Sequence, residues 1–121
     1  MSEKNELGKK GEELATEMLV KKGFKILHRN WHYSHKEIDI VAKDKNELVI
    51  VEVKSRTEDA WEEPWQAISN KKIRFLADAT EAYIEKYNIE EEVRFDVVSI
   101  VFKDSKPVIE HILNAFRPWM Q

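Results

Sequence analysis

The sequence predicts an α/β domain, with a mixed central sheet of about five strands and two main helices in the order αβββαββ. Two stretches carry apolar residues at helical spacing, one near the N-terminus and one past the middle. Between and after them lie runs rich in Val and Ile, bounded by polar turn residues. Glu37–Lys43 and Glu47–Lys54 are separated by so few residues that they must form a hairpin.

The first helix is expected over about Glu6 to Lys22. Leu7, Leu14, Ala15, Met18 and Leu19 fall near one face, and Gly23 suits the position just past its end. Phe24–Asn30 reads as a short first strand. The hairpin follows, and its register is decided by the turn. A two-residue turn at Lys45-Asn46 pairs Asp44 with Glu47 and, counting back, sets Asp39 directly opposite Glu52. A three-residue loop would put them on opposite faces. The even loop is the expectation, and Asn46 tolerates the positive φ it needs. After a polar connection, Thr57 to Pro64, a long helix is expected from about Pro64-Trp65 to Tyr87. Its stripe is Trp65, Ile68, Phe75, Leu76, Ala79, Ala82 and Tyr83. Glu92–Phe102 is apolar enough for a central strand, Val108–Leu113 reads as the fifth, and the tail from Asn114 should pack on the core.

The chain has 121 residues, a length that fits one domain and supports a core without covalent staples. It has no cysteine, which excludes disulfides and thiolate metal sites and makes a reducing cytoplasm the expected location. No apolar signal core or membrane-length run is present, so a complete, cytoplasmic chain without membrane contact is expected. The net charge of −3 argues against a simple nucleic-acid coat. Basic residues nevertheless gather at Lys9-Lys10, Lys21–Lys25, Lys54–Arg56 and Lys71–Arg74, and acidic ones at Glu90–Glu92, so a two-sided molecule is expected.

The chemistry concentrates in Val51-Glu-Val-Lys-Ser-Arg56. Glu52 and Lys54 share a strand face, and the hairpin register adds Asp39 to it. Hard divalent cations take oxygen ligands, typically one or two carboxylates completed by water and phosphate. Asp39, Glu52 and the backbone carbonyl of Val53 form such a set for Mg²⁺ or Mn²⁺. Lys54 then stands ready to orient or deprotonate a water, or to offset charge on a phosphate, and Arg56 to hold a neighbouring phosphate. An isolated Glu-x-Lys on a strand is more often a solvated ion pair. Asp39 in register favours a metal–phosphate site.

Five stretches occur in order: GKKGEELA (Gly8–Ala15), EIDIVAKD (Glu37–Asp44), LVIVEVKSR (Leu48–Arg56), RFDVVSI (Arg94–Ile100) and HILNAF (His111–Phe116). Together they cover almost the whole chain and resemble the YraN family of bacterial proteins. Those look like Holliday junction resolvases of the PD-(D/E)XK nuclease superfamily. The resemblance implies a restriction-endonuclease-like core across residues 1–121 and metal-dependent cleavage of DNA. It implies Asp39 as the motif aspartate, Glu52 as the (D/E), Lys54 as the motif lysine, and Glu12 as the first-helix glutamate that completes the metal site. Ile38 stands where the motif has proline, and Lys36 where the family usually has glycine.

Lys9, Lys10, Lys72 and Arg74 are candidates for DNA backbone contact, against the alternative of solvated helix faces. Glu37 shares Asp39's face, either supporting the site or merely solvated. Gln66 falls near the start of the second helix, where related nucleases place a glutamine, or is an ordinary first-turn residue. Asp96 is expected to pair with Arg94 or cap a backbone group, as structure. The four histidines lack metal-ligand spacing. The expected partner is DNA, including branched DNA, with a homodimer if the substrate is two-fold. No organic cofactor is expected. The rival readings are a nucleic-acid-binding or complex-assembly module without turnover, and a structural ion network on a protein-binding face.

Overall fold

The computed structural model describes residues 3–58, 68–104 and 106–120. The elements run α1 (Glu3–Lys21), β1 (Lys25–Tyr33), β2 (Lys36–Asp44), β3 (Glu47–Thr57), α2 (Asn70–Tyr87), β4 (Glu92–Lys103), β5 (Lys106–Ile112) and a 3₁₀ turn at Pro118–Met120. The αβββαββ order is as expected. The five strands lie in sequence order, β1-β2-β3-β4-β5. All neighbours are antiparallel except β3 and β4, which run parallel because α2 carries the chain back between them.

The two helices cover opposite faces of the sheet. On one face, Ala15 and Leu19 of α1 pack on Ile40, Ala42, Val49, Val51, Val98 and Ile100. On the other, Leu76, Ala79 and Tyr83 of α2 pack on Val41, Leu48, Ile50 and Phe95. Strand alternation sorts these residues: in β3 the odd positions from Val49 to Val53 turn to α1, and the even ones turn to α2. Glu52 therefore lies on the α2 side. Phe116 stacks on Phe95 at 5.2 Å and Trp119 meets it edge-on, so the tail does close over the core.

Gly11 lets α1 approach β3. A Cβ at that position would collide with Ser55 Oγ, and it would stand 3.0 Å from Ser55 Cβ. The neighbouring residue is Glu12, so this contact seats Glu12 beside the sheet. Gly23 ends α1 with φ +94°, as its position predicts.

Two boundaries differ most from the sequence reading. α2 starts at Asn70 rather than near Pro64: Ser69 caps it, its hydroxyl accepting from Lys72 N at 3.1 Å. Ile68 is buried ahead of the helix and merely continues its apolar spacing. β1 runs on to Tyr33, past Asn30. Among the described residues, no helix is long and apolar enough to cross a membrane. Trp61, Trp65 and Gln66 lie outside the described residues.

Candidate metal centre

The β2–β3 hairpin has the even register. Asp44 pairs with Glu47 across Lys45-Asn46, and Lys45 takes a left-handed φ of 56°. The ladder continues to Ile40 opposite Val51 and stops there. Asp39 and Glu52 come next in register, but the strands no longer pair at that point. Instead the Asp39 carboxylate takes over the bond, its Oδ2 accepting from Val53 N at 2.8 Å. A strand residue sends its N–H and C=O to the same neighbour, so the Val53 carbonyl faces the same opening.

Two carboxylates meet at this fork. Glu52 is 4% exposed, and its Oε1 has no hydrogen-bond partner among the described residues. Its Oε2 lies 3.7 Å from Lys72 Nζ. Burial pushes the Glu52 carboxyl up, against the opposing charges of Lys72 and Lys54 and a bond shared with Asp39. Burial, and then the Glu52 charge, push Asp39 up to about 8. The two are close enough to share a proton, and they titrate as a pair.

Glu12 approaches from α1. Burial raises its carboxyl, as do the charges of Asp39 and Glu37, while a hydrogen bond from Asn30 and the charge of Arg29 oppose this. Asn30 Nδ2 donates to Glu12 Oε1 at 2.7 Å and to Glu37 Oε1 at 3.3 Å. Glu37 also pairs with the exposed His32 at 3.1 Å.

The donor set fits a hard divalent cation. A buried Glu52 and a half-buried Asp39 lie side by side with both carboxyls raised by burial, Glu52 Oε1 has no partner among the described residues, and the strand geometry turns the Val53 carbonyl to the same gap. Among the described residues no three His, Cys, Asp or Glu side chains converge into a protein-only cage. Mg²⁺ prefers that situation, since it keeps waters and takes the rest of its shell from substrate phosphate.

Asp39 and Glu52 adjoin at the fork, the Lys54 charge acts on Glu52, and Glu12 feels the charge of Asp39 from α1. Lys72, expected on the DNA-facing surface, turns inward to Glu52, its ammonium 5.4 Å from the Phe75 ring centre. Arg56 is partly buried, with Nε and Nη1 lacking partners among the described residues. Lys9 and Arg29 border an open hollow with Glu12, Glu13 and Asn30. Lys10 stands 5.7 Å over Phe102, and exposed Arg74 lines a separate hollow beside Pro118. Asn30 was missed: a lone polar residue in a strand signals nothing in one dimension.

A family model described as "Uncharacterised protein family UPF0102" matches residues 11–100. The chain belongs to the UPF0102 family. A UPF0102 protein of Phocaeicola vulgatus is 46% identical over 118 residues, covering 98% of each chain. One of Flavobacterium johnsoniae is 46% identical over 120 residues, covering 96% of this chain and 98% of its own. One of Parabacteroides distasonis is 44% identical over 116 residues, covering 96% of each. The span matched to UPF0102 contains Gly11, Glu12, Asn30, Asp39, Glu52, Lys54 and Lys72, so the whole fork lies inside it.

Proposed function

We propose that this UPF0102 protein is a divalent-metal-dependent endonuclease that hydrolyses phosphodiester bonds in DNA, with branched DNA as its substrate class. One observation carries the reading: a buried Glu52 and a half-buried Asp39 meet at an open fork, burial raises both carboxyls, and Glu52 Oε1 has no hydrogen-bond partner among the described residues. The resemblance to PD-(D/E)XK resolvases supports the same residues in the same roles.

Asp39, Glu52 and the Val53 carbonyl would hold the cation, and Glu12 would support them from α1. When bound, Mg²⁺ or Mn²⁺ supplies Lewis-acid activation of water and phosphoryl oxygen. Lys54 orients the attacking water and offsets charge gathering on the phosphoryl oxygens. Water forms the new P–O bond and releases a proton to solvent, while the bond to the leaving sugar oxygen breaks and that oxygen takes a proton from solvent. Arg56, Lys9, Lys10 and Arg74 supply phosphate attraction, so binding weakens with salt. On a two-fold junction, two copies act together.

The test is a labelled panel of branched and linear DNAs with Mg²⁺ or Mn²⁺, comparing wild type with Glu52→Gln and Lys54→Ala. Cleavage by wild type alone is the expected result. Equal cleavage by all three would mean a contaminant. Salt-sensitive binding without cleavage by a metal-loaded wild type would favour the binding-module reading.

A further inference from the structure

Asn30 occupies an uncommon place. It lies within β1, yet its φ is 53°, in the left-handed region that strands avoid. The β1–β2 ladder pairs Arg29 with Ile40 and Trp31 with Ile38, which leaves Asn30 facing Asp39. Its amide reaches carboxylates from two elements, Glu12 of α1 and Glu37 of β2. Asn tolerates this backbone better than other side-chain-bearing residues, which explains the residue type but not why the chain turns there. Backbone held in a sparse region in the middle of a strand, beside half-buried acids, is the kind of strain that gathers at functional sites.

We infer that Asn30 is the positioning residue of the fork: its left-handed backbone aims the amide at Glu12 and sets that carboxylate toward the Asp39–Glu52 pair. The inference rests on reading that pair as a metal centre. A neutral amide suits the task. It satisfies two carboxylates as a donor without placing a cation where a metal would sit. A lysine there would compete with the metal, and an aspartate would add a further repelling charge.

The experiment separates backbone from amide. Asn30→Gly removes the amide and relaxes the φ, whereas Asn30→Ala removes the amide and keeps the strain. Mn²⁺ affinity is read by calorimetric titration, and folding by thermal melts. Both variants should bind Mn²⁺ about tenfold more weakly, the lower end for loss of a group supporting a ligand. Their melting temperatures should nonetheless differ, with Gly above Ala. In a Glu12→Gln background the Asn30→Gly loss should shrink to less than about twofold, because the group being positioned is gone. Affinity loss in Ala but not in Gly would make Asn30 a backbone device and overturn the inference. An undiminished loss in the Glu12→Gln background would overturn it too. A wild type that binds no Mn²⁺ would overturn the metal centre itself, and this inference with it.

Discussion

The β2–β3 hairpin ends in two acidic centres with opposite fates. At the turn end, Arg94 reaches Asp44 at 3.2 Å and Glu47 at 2.9 Å, and grips the fully buried Asp96 at 2.9 and 3.0 Å. Asp96 also accepts from Asn114 N at 2.9 Å and from His111 Nε2 at 2.8 Å. The Lys22 ammonium, 2.9 Å from His111 Nδ1, makes that nitrogen the acceptor, so Nε2 must carry the hydrogen. Burial pushes the Asp96 carboxyl up, but His111, Arg94 and Asn114 together hold it below the usual range. At the fork end, burial acts on Asp39 and Glu52 with too little to oppose it, and both carboxyls rise. A satisfied buried acid strengthens a fold, whereas an unsatisfied pair holds a site open for a ligand.

The largest expected effect tests that contrast through stability. Asp96→Asn leaves Arg94 and His111 short of their partner and should cost about 3 kcal/mol. Urea unfolding with an unchanged slope would register it as a lowered midpoint. Glu52→Gln removes one of two repelling carboxylates along with a Lys72 contact, so stability should stay within about 1 kcal/mol of wild type. Equal losses at both ends would erase the distinction.

The pH dependence should run in opposite directions. Asp96 has a depressed folded-state pKa. Its contribution is therefore present above the unfolded value of 3.8 and lost as pH falls through the lower folded value. Asp39 is raised from 3.8 to about 8, so the native state keeps a proton that the unfolded chain has released across that window. Metal-free stability should therefore fall as pH rises from about 4 to about 8, and Asp39→Asn should flatten the slope. Saturating Mn²⁺ should add stabilisation that grows over the same window, because binding needs the deprotonated pair. Thermal melts across pH, with and without metal, decide it.

A smaller effect concerns Lys72, the cation nearest the orphaned carboxylate. Its ammonium lies 3.7 Å from Glu52 Oε2, where it would compete with the proposed metal. Lys72→Met should tighten Mn²⁺ binding about tenfold, or about 1.4 kcal/mol, by removing the competitor. Calorimetry tests this directly. Weaker binding would mean that Lys72 supports the metal rather than competing with it.

Legibility in the sequence followed the range of the contact. The hairpin register was legible only as a preference: the sequence left an even and an odd loop open, and the Lys45-Asn46 turn selects the even one that brings Asp39 beside Glu52. Asp96 with Arg94 was readable as neighbours on one strand face. Lys72 meeting Glu52 was not, since it depends on how α2 docks across the sheet. The start of α2 was misread because Ile68, buried before the helix, continues its apolar spacing, while the cap signal was a lone Ser69 with no acidic residue in the first turn. Asn30 was hidden because its role lies in a backbone angle inside a strand.

The smallest expected effect asks whether the two ends of the hairpin communicate. Lys45 sits at φ 56° in the turn, where a side chain is disfavoured. Lys45→Gly relieves that cost but frees the unfolded chain, and the two together should leave a gain of about 0.5 kcal/mol. That is about 2–3 °C in melting temperature for a chain of this size. The turn and the fork are separated by the five ladder pairs from Asp44–Glu47 to Ile40–Val51. Independent sites add, so Mn²⁺ affinity should not change. A shift in affinity would mean that tightening the clamped end moves Asp39 against Val53. The hairpin would then act as a lever between the two centres rather than as a rigid spacer.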